Sequence, residues 1–166
     1  MRNRNKQPIA FIINAAMLVL LYILRYSELM TLTIGQASPI TLIPFVVAIA
    51  IFYGEWFGAA AGFFAGALMD GSMSGSSCFN TLVIMLIGLI AGVLASHYMN
   101  KNIRSAACLS LGSAFVYLFV KMIFFYSFKE IPTGAEYYSM YFIPTVFYTA
   151  LFIIPFYFLE KKLREL

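Results

Sequence analysis

Gly54-Glu55-Trp56-Phe57-Gly58-Ala59-Ala60-Ala61-Gly62-Phe63-Phe64-Ala65-Gly66-Ala67-Leu68-Met69-Asp70 is the stretch on which the reading of this chain turns. Glycine recurs at Gly54, Gly58, Gly62 and Gly66, with Ala59, Ala60, Ala61, Ala65 and Ala67 in between. On a helix, a step of four residues returns to nearly the same face, drifting by about 40° each time. A face without Cβ atoms lets another backbone come close, and in lipid that van der Waals contact is a main source of helix association. Gly88 and Gly92 repeat the spacing further along. Two uses of such a face stay open: packing against the chain's own neighbouring helices, or a groove for a partner protein's helix.

The surrounding composition names the solvent. Of 166 residues, 62% are hydrophobic, 17% aromatic and only 11% charged, and mean hydropathy is +0.87. Soluble domains carry about 25% charged residues, so a soluble globular domain is excluded. The wealth of Phe, Leu, Ile and Tyr excludes disorder. A hydrocarbon core of about 30 Å needs roughly 20 apolar residues per helix. Six candidate spans appear, at about 8–24, 40–53, 56–69, 79–98, 106–125 and 138–159, the second and third of them short. The expected architecture is an all-α integral membrane protein with six transmembrane helices, a single polytopic domain over residues 1–166. Only Gly54-Glu55 separates the second and third spans. A tight helical hairpin is expected there, because one long helix would hold Glu55 in mid-membrane at a cost of several kcal/mol. Arg2, Arg4 and Lys6 before the first apolar run are reminiscent of a signal peptide, yet no small-x-small cleavage site follows. A retained anchor is expected.

Charge sets the orientation. The eleven Lys and Arg outnumber the seven Asp and Glu, but they lie in short clusters between apolar runs. That pattern fits a membrane surface and not a nucleic-acid partner. With the N-terminus inside, Arg2, Arg4, Lys6, Lys101, Arg104, Lys161, Lys162 and Arg164 all fall on the inner side. Arg25 and Lys129 fall outside, and Lys121 lies within the fifth span. The positive-inside rule then predicts that both termini are cytoplasmic. Tyr22, Tyr26, Trp56, Tyr137 and Tyr138 lie near span ends, where amphipathic rings favour the headgroup level.

Polar residues give little room for catalysis. The run Asp70-Gly71-Ser72-Met73-Ser74-Gly75 opens like a CDP-alcohol phosphotransferase, but the Ala-Arg and the later aspartates are missing. Gly-x-Ser-Gly of an intramembrane serine protease does not occur, and the sole histidine, His97, falls at the opposite end of its span. A nucleophile and base so far apart cannot share a proton. No phosphate loop or metal-ligand cluster is present, so no enzyme, cofactor or metal site is expected. Cys78 and Cys108 read as small packing residues. Asp70 ends the glycine face, where the helix dipole disfavours a carboxylate; interfacial solvation and a specific structural or binding role are both open. Lys121 either faces the protein interior or snorkels to headgroups. Asn14 is placed to hydrogen-bond across helices, and Pro44, Pro144 and Pro155 are expected to kink the second and last spans.

With those residues in view, Gly58-x-x-x-Gly62-Phe63-x-x-Gly66-x-Leu68-x-Asp70, followed by Ser74-Gly75 and a small-residue apolar span, resembles the central signature of the rod shape-determining protein MreD family. The basic N-terminus, the six-span pattern and the final Pro-containing span with its basic tail extend the likeness over nearly the whole chain. One departure is Cys78-Phe79, where the family often has Leu-Gly. The resemblance implies a non-enzymatic, multi-pass protein of the bacterial cytoplasmic (inner) membrane. It would bind MreC, and through it MreB and the peptidoglycan polymerase and transpeptidase of lateral wall growth. Gly58, Gly62, Phe63, Gly66 and Asp70 of that signature, together with Gly88 and Gly92 from the repeated spacing on the fourth span, are the expected helix-packing and partner-binding residues. The rival class is the substrate-binding membrane subunit of an energy-coupling-factor vitamin transporter. Those subunits carry an Ala-x-x-x-Ala face on the first span, whereas Ala10 to Leu20 repeats no alanine at four.

Overall fold

The computed structural model describes residues 7–26, 40–71, 78–99, 102–129 and 144–165, and every regular element among them is helical. In chain order these are α1 (Gln7–Tyr26), α2 (Leu42–Tyr53), α3 (Glu55–Gly71), α4 (Phe79–His97) and α5 (Ile103–Lys129). A shorter helix, α6, covers 144–151, and α7 follows (Ile153–Glu165). Two helical segments, Phe79–His97 and Ile103–Phe124, are long and apolar enough to cross a membrane. The Arg2, Arg4, Lys6 and Lys101 charges, the Ser74-Gly75 pair, and Tyr137 and Tyr138 lie outside the described residues.

The centre of the bundle is its most apolar helix. Every residue of α2 from Leu42 to Phe52 is buried, as befits a helix that is hydrophobic all round. α1, α3, α4, α5 and α7 pack around it. At twelve residues, α2 is only about 18 Å long, shorter than a bilayer core. Aromatic contacts tie it to α7: Phe45 meets Phe156 edge-on at 5.2 Å, and Phe52 meets Tyr157 at 5.1 Å. Pro44 does not kink α2. It occupies the first turn, where a backbone N–H has no intrahelical acceptor to lose. Just ahead of the helix, the Ile40 N–H donates to Thr149 Oγ1 of α6 at 3.2 Å.

Between α2 and α3 the chain folds back at Gly54, whose φ of +96° suits glycine. A Cβ on Gly58 would lie 2.6 Å from the Ala50 Cβ. Eight residues apart on a continuous helix, these positions would be separated by about 12 Å. The last span is broken at Phe152, between α6 and α7. Pro155 has no N–H to offer the Leu151 carbonyl and crowds it. The Phe152 N–H instead closes a tighter turn on the Thr149 carbonyl at 3.2 Å.

Several helices turn large apolar side chains outward, among them Ile12, Leu82, Ile123, Phe147 and Leu151. Cys78 and Cys108 are exposed thiols, so the expectation that they pack inside is corrected. A small, weakly polar side chain meets an apolar exterior at little cost. α5 runs beyond the expected 106–125 at both ends, reaching about 40 Å over its 27 residues.

Candidate functional site

The glycine face of α3 lies against α4, and the two helices run antiparallel. Gly58 faces the Gly88 carbonyl, Gly62 the Ile84 carbonyl, and Gly66 the backbone of Asn80 and Thr81. Gly92 closes the register against the Glu55 backbone. At each of these glycines, an added Cβ would come under 3.0 Å from backbone atoms of the facing segment. No side-chain adjustment relieves a clash with backbone. Ala61, Ala65, Met69, Ile84, Ile87 and Ala91 fill the flanks of the seam. Of the two uses open to the glycine face, α4 occupies it. Phe63 does not join that seam: it is 47% exposed and meets Phe64 edge-on at 5.8 Å.

Asp70 closes the far end of the seam. The first N–H groups of any helix lack intrahelical acceptors, and Cys78, at the start of α4, makes no side-chain cap. Asp70 supplies the cap from α3. Its Oδ1 accepts from the Asn80 N–H (3.1 Å) and Asn80 Nδ2 (2.8 Å). Its Oδ2 accepts from the Thr81 N–H (2.8 Å) and Thr81 Oγ1 (2.6 Å). The dipole that disfavours this carboxylate at the end of α3 favours it at the start of α4. The network continues into α5, because Tyr117 Oη donates to Asn80 Oδ1 at 2.7 Å in a buried setting. Lys121 Nζ lies 5.9 Å from the centroid of the Tyr117 ring, within cation–π range. Asp70, Asn80, Tyr117 and Lys121 thus form one chain of contacts through three helices.

At the opposite end, Ser96 Oγ donates to Glu55 Oε2 at 3.1 Å and to the Gly92 carbonyl at 2.6 Å. Nearby sequence carries His97, exposed, with Nδ1 3.3 Å from the Val93 carbonyl. A second polar group lies among α1, α2 and α7. Asn14 Nδ2 donates to Glu160 Oε2 at 3.4 Å, and Tyr53 faces both side chains. Glu160 is fully buried and Asn14 only 6% exposed. Asn14 Oδ1, Tyr53 Oη and Glu160 Oε1 lack a well-formed hydrogen bond. Asn14 and Tyr53 also line a cavity of about 300 Å³ between α1, α2 and α3, whose other walls include Leu18, Ile49, Phe57 and Phe64.

Sequence reasoning placed Gly58, Gly62, Gly66, Gly88 and Gly92 together with Asp70, and the structure puts all six on the α3–α4 seam. It missed Asn80, Thr81 and Tyr117, although a polar pair opening an apolar run is a helix-start signal. It missed Glu160, which stands beside Lys161 and Lys162 and looks solvated. The signal was the spacing Ile153, Phe156, Tyr157, Glu160, one helix face that is buried throughout. No family model, curated protein or solved structure matches this chain.

Proposed function

We propose that this chain is a non-enzymatic, multi-pass component of the bacterial cell-elongation machinery in the cytoplasmic membrane. It has six spans with both termini cytoplasmic, binds MreC, and supports lateral peptidoglycan synthesis and rod shape. One observation carries the reading: the segment of the resemblance, Gly58 to Asp70, is also where two helices pack backbone to backbone. Its glycines bring α3 onto α4, and its aspartate caps α4. The apolar side chains turned outward on α1, α4, α5 and α6 support lipid on most sides. Because α4 covers the glycine face, MreC meets an outward face, and Phe63 is the residue of the signature that points there. The rival vitamin-transporter reading would use the cavity between α1, α2 and α3, whose lining is hydrocarbon apart from Asn14 and Tyr53.

The test is co-expression of the tagged chain with the MreC of its own host, followed by affinity capture from solubilised membranes. Recovery of MreC in stoichiometric amount is the expected result. Capture of the intact chain without MreC would overturn the proposal.

A further inference from the structure

The cavity between α1, α2 and α3 has two unlike ends. Asn14 and Tyr53 mark one, with the buried Glu160 carboxyl behind Asn14. From there the walls are hydrocarbon: Leu18 and Val19 on α1, Ile49 on α2, Ala61 and Leu68 on α3. Along α3, the distance from Phe57 to Leu68 is about 17 Å. Val19 and Phe64, both on the lining, are 45% and 54% exposed, so the groove is open along its side. Its volume of about 300 Å³ stands at the lower edge of small-molecule sites, roughly 300–1,000 Å³. A long, narrow, carbon-lined space of that size suits one alkyl chain.

The polar end specifies the head. A buried polar atom without a partner is costly and calls for one. Asn14 Oδ1, on the lining, is an acceptor only. Tyr53 Oη can both give and take. Neither has a well-formed partner, and Asn14 Oδ1 requires a hydrogen-bond donor from a ligand. A phosphate or carboxylate head brings acceptors; a hydroxyl-bearing head brings donors without charge.

We infer that this groove binds one alkyl chain of a neutral, hydroxyl-headed lipid of the glyceride type, with its hydroxyls on Asn14 and Tyr53. The site is separate from the α3–α4 seam and does not depend on the elongation reading. An acylglycerol of the surrounding bilayer has this chemistry and reaches the groove through its open side.

The test uses the full chain in detergent, with native mass spectrometry and thermal melting as paired readouts. The probes are monoolein and oleyl phosphate, which share chain length and differ in head. Monoolein is expected to give a saturable one-to-one adduct and to raise the melting temperature. Oleyl phosphate is expected to bind at least roughly tenfold more weakly, the worth of about one hydrogen bond. Val19→Trp fills the groove from its exposed rim, so the variant should melt like the parent yet lose the adduct. Asn14→Leu should weaken monoolein by roughly tenfold and narrow the preference over oleyl phosphate. Equal binding of the two probes, an adduct untouched by Val19→Trp, or the absence of a saturable adduct would each overturn the inference. Displacement of monoolein by a water-soluble vitamin would overturn it as well.

Discussion

Asp70 stands at the end of α3, where the helix dipole repels a carboxylate, and within hydrogen-bonding reach of the first turn of α4, where the dipole attracts one. Four donors converge on its two oxygens. Asp70→Ala would leave the Asn80 and Thr81 N–H groups without a cap and remove charge-assisted bonds. Together these losses are worth about 2–3 kcal/mol. For a chain of this length that is a melting temperature lower by about 5–10 °C, measurable by thermal unfolding in detergent. Asp70→Asn keeps one acceptor oxygen and should lose less than half as much. A variant Asp70→Ala that melts with the parent would contradict the capping role. Sequence alone left this residue open between solvation and a specific role, because its partners lie ten and eleven positions away on another helix. Glu160 was hidden for a different reason: its flanking lysines advertise water, while the helix turns them outward and the carboxyl inward. Periodicity over Ile153, Phe156 and Tyr157 is the better guide to its burial.

At the level of elements, the α3–α4 hairpin makes a graded prediction from its glycines. Gly62 faces backbone on α4, and a Cβ there would collide with Ile84 and Met85. Gly112, within α5, would meet nothing within 4 Å. Gly62→Ala should therefore destabilise by about 1–3 kcal/mol through overpacking, and Gly62→Leu by more. Gly112→Ala should be neutral or stabilising by up to about 1 kcal/mol, because alanine is the better helix former. Melting both variants under one set of conditions checks the contrast, and equal shifts would contradict the seam. The seam was legible because spacing by four is a property of one helix. The break at Phe152 was half legible, since Pro155 announces a defect but not its partner bond to Thr149. Pro44 misled, because a proline's effect depends on where the helix begins. That start is set by tertiary contacts such as Ile40 with Thr149.

For the whole molecule, the buried α2 and the outward apolar belt describe a bundle built inside out, with hydrocarbon both at its centre and on its surface. The proposed six spans with cytoplasmic termini predict a labelling pattern. With Cys78 and Cys108 replaced by serine, cysteines introduced as Asn3→Cys and Glu165→Cys should resist a membrane-impermeant thiol reagent in intact cells. Gly134→Cys, in the segment expected outside, should react. Labelling of either terminal position from outside would contradict the topology.

The central proposal is that the Gly58–Asp70 segment of α3 serves cell shape through its packing on α4. The most direct measurement is the shape of host cells deleted for this gene and complemented with each variant, with membrane abundance measured alongside. The account predicts round cells on deletion, rods with the parent chain, and impaired rods with Gly62→Leu or with Asp70→Ala present in the membrane at parental abundance. Rods that persist after deletion, or normal rods with both variants at parental abundance, would contradict it.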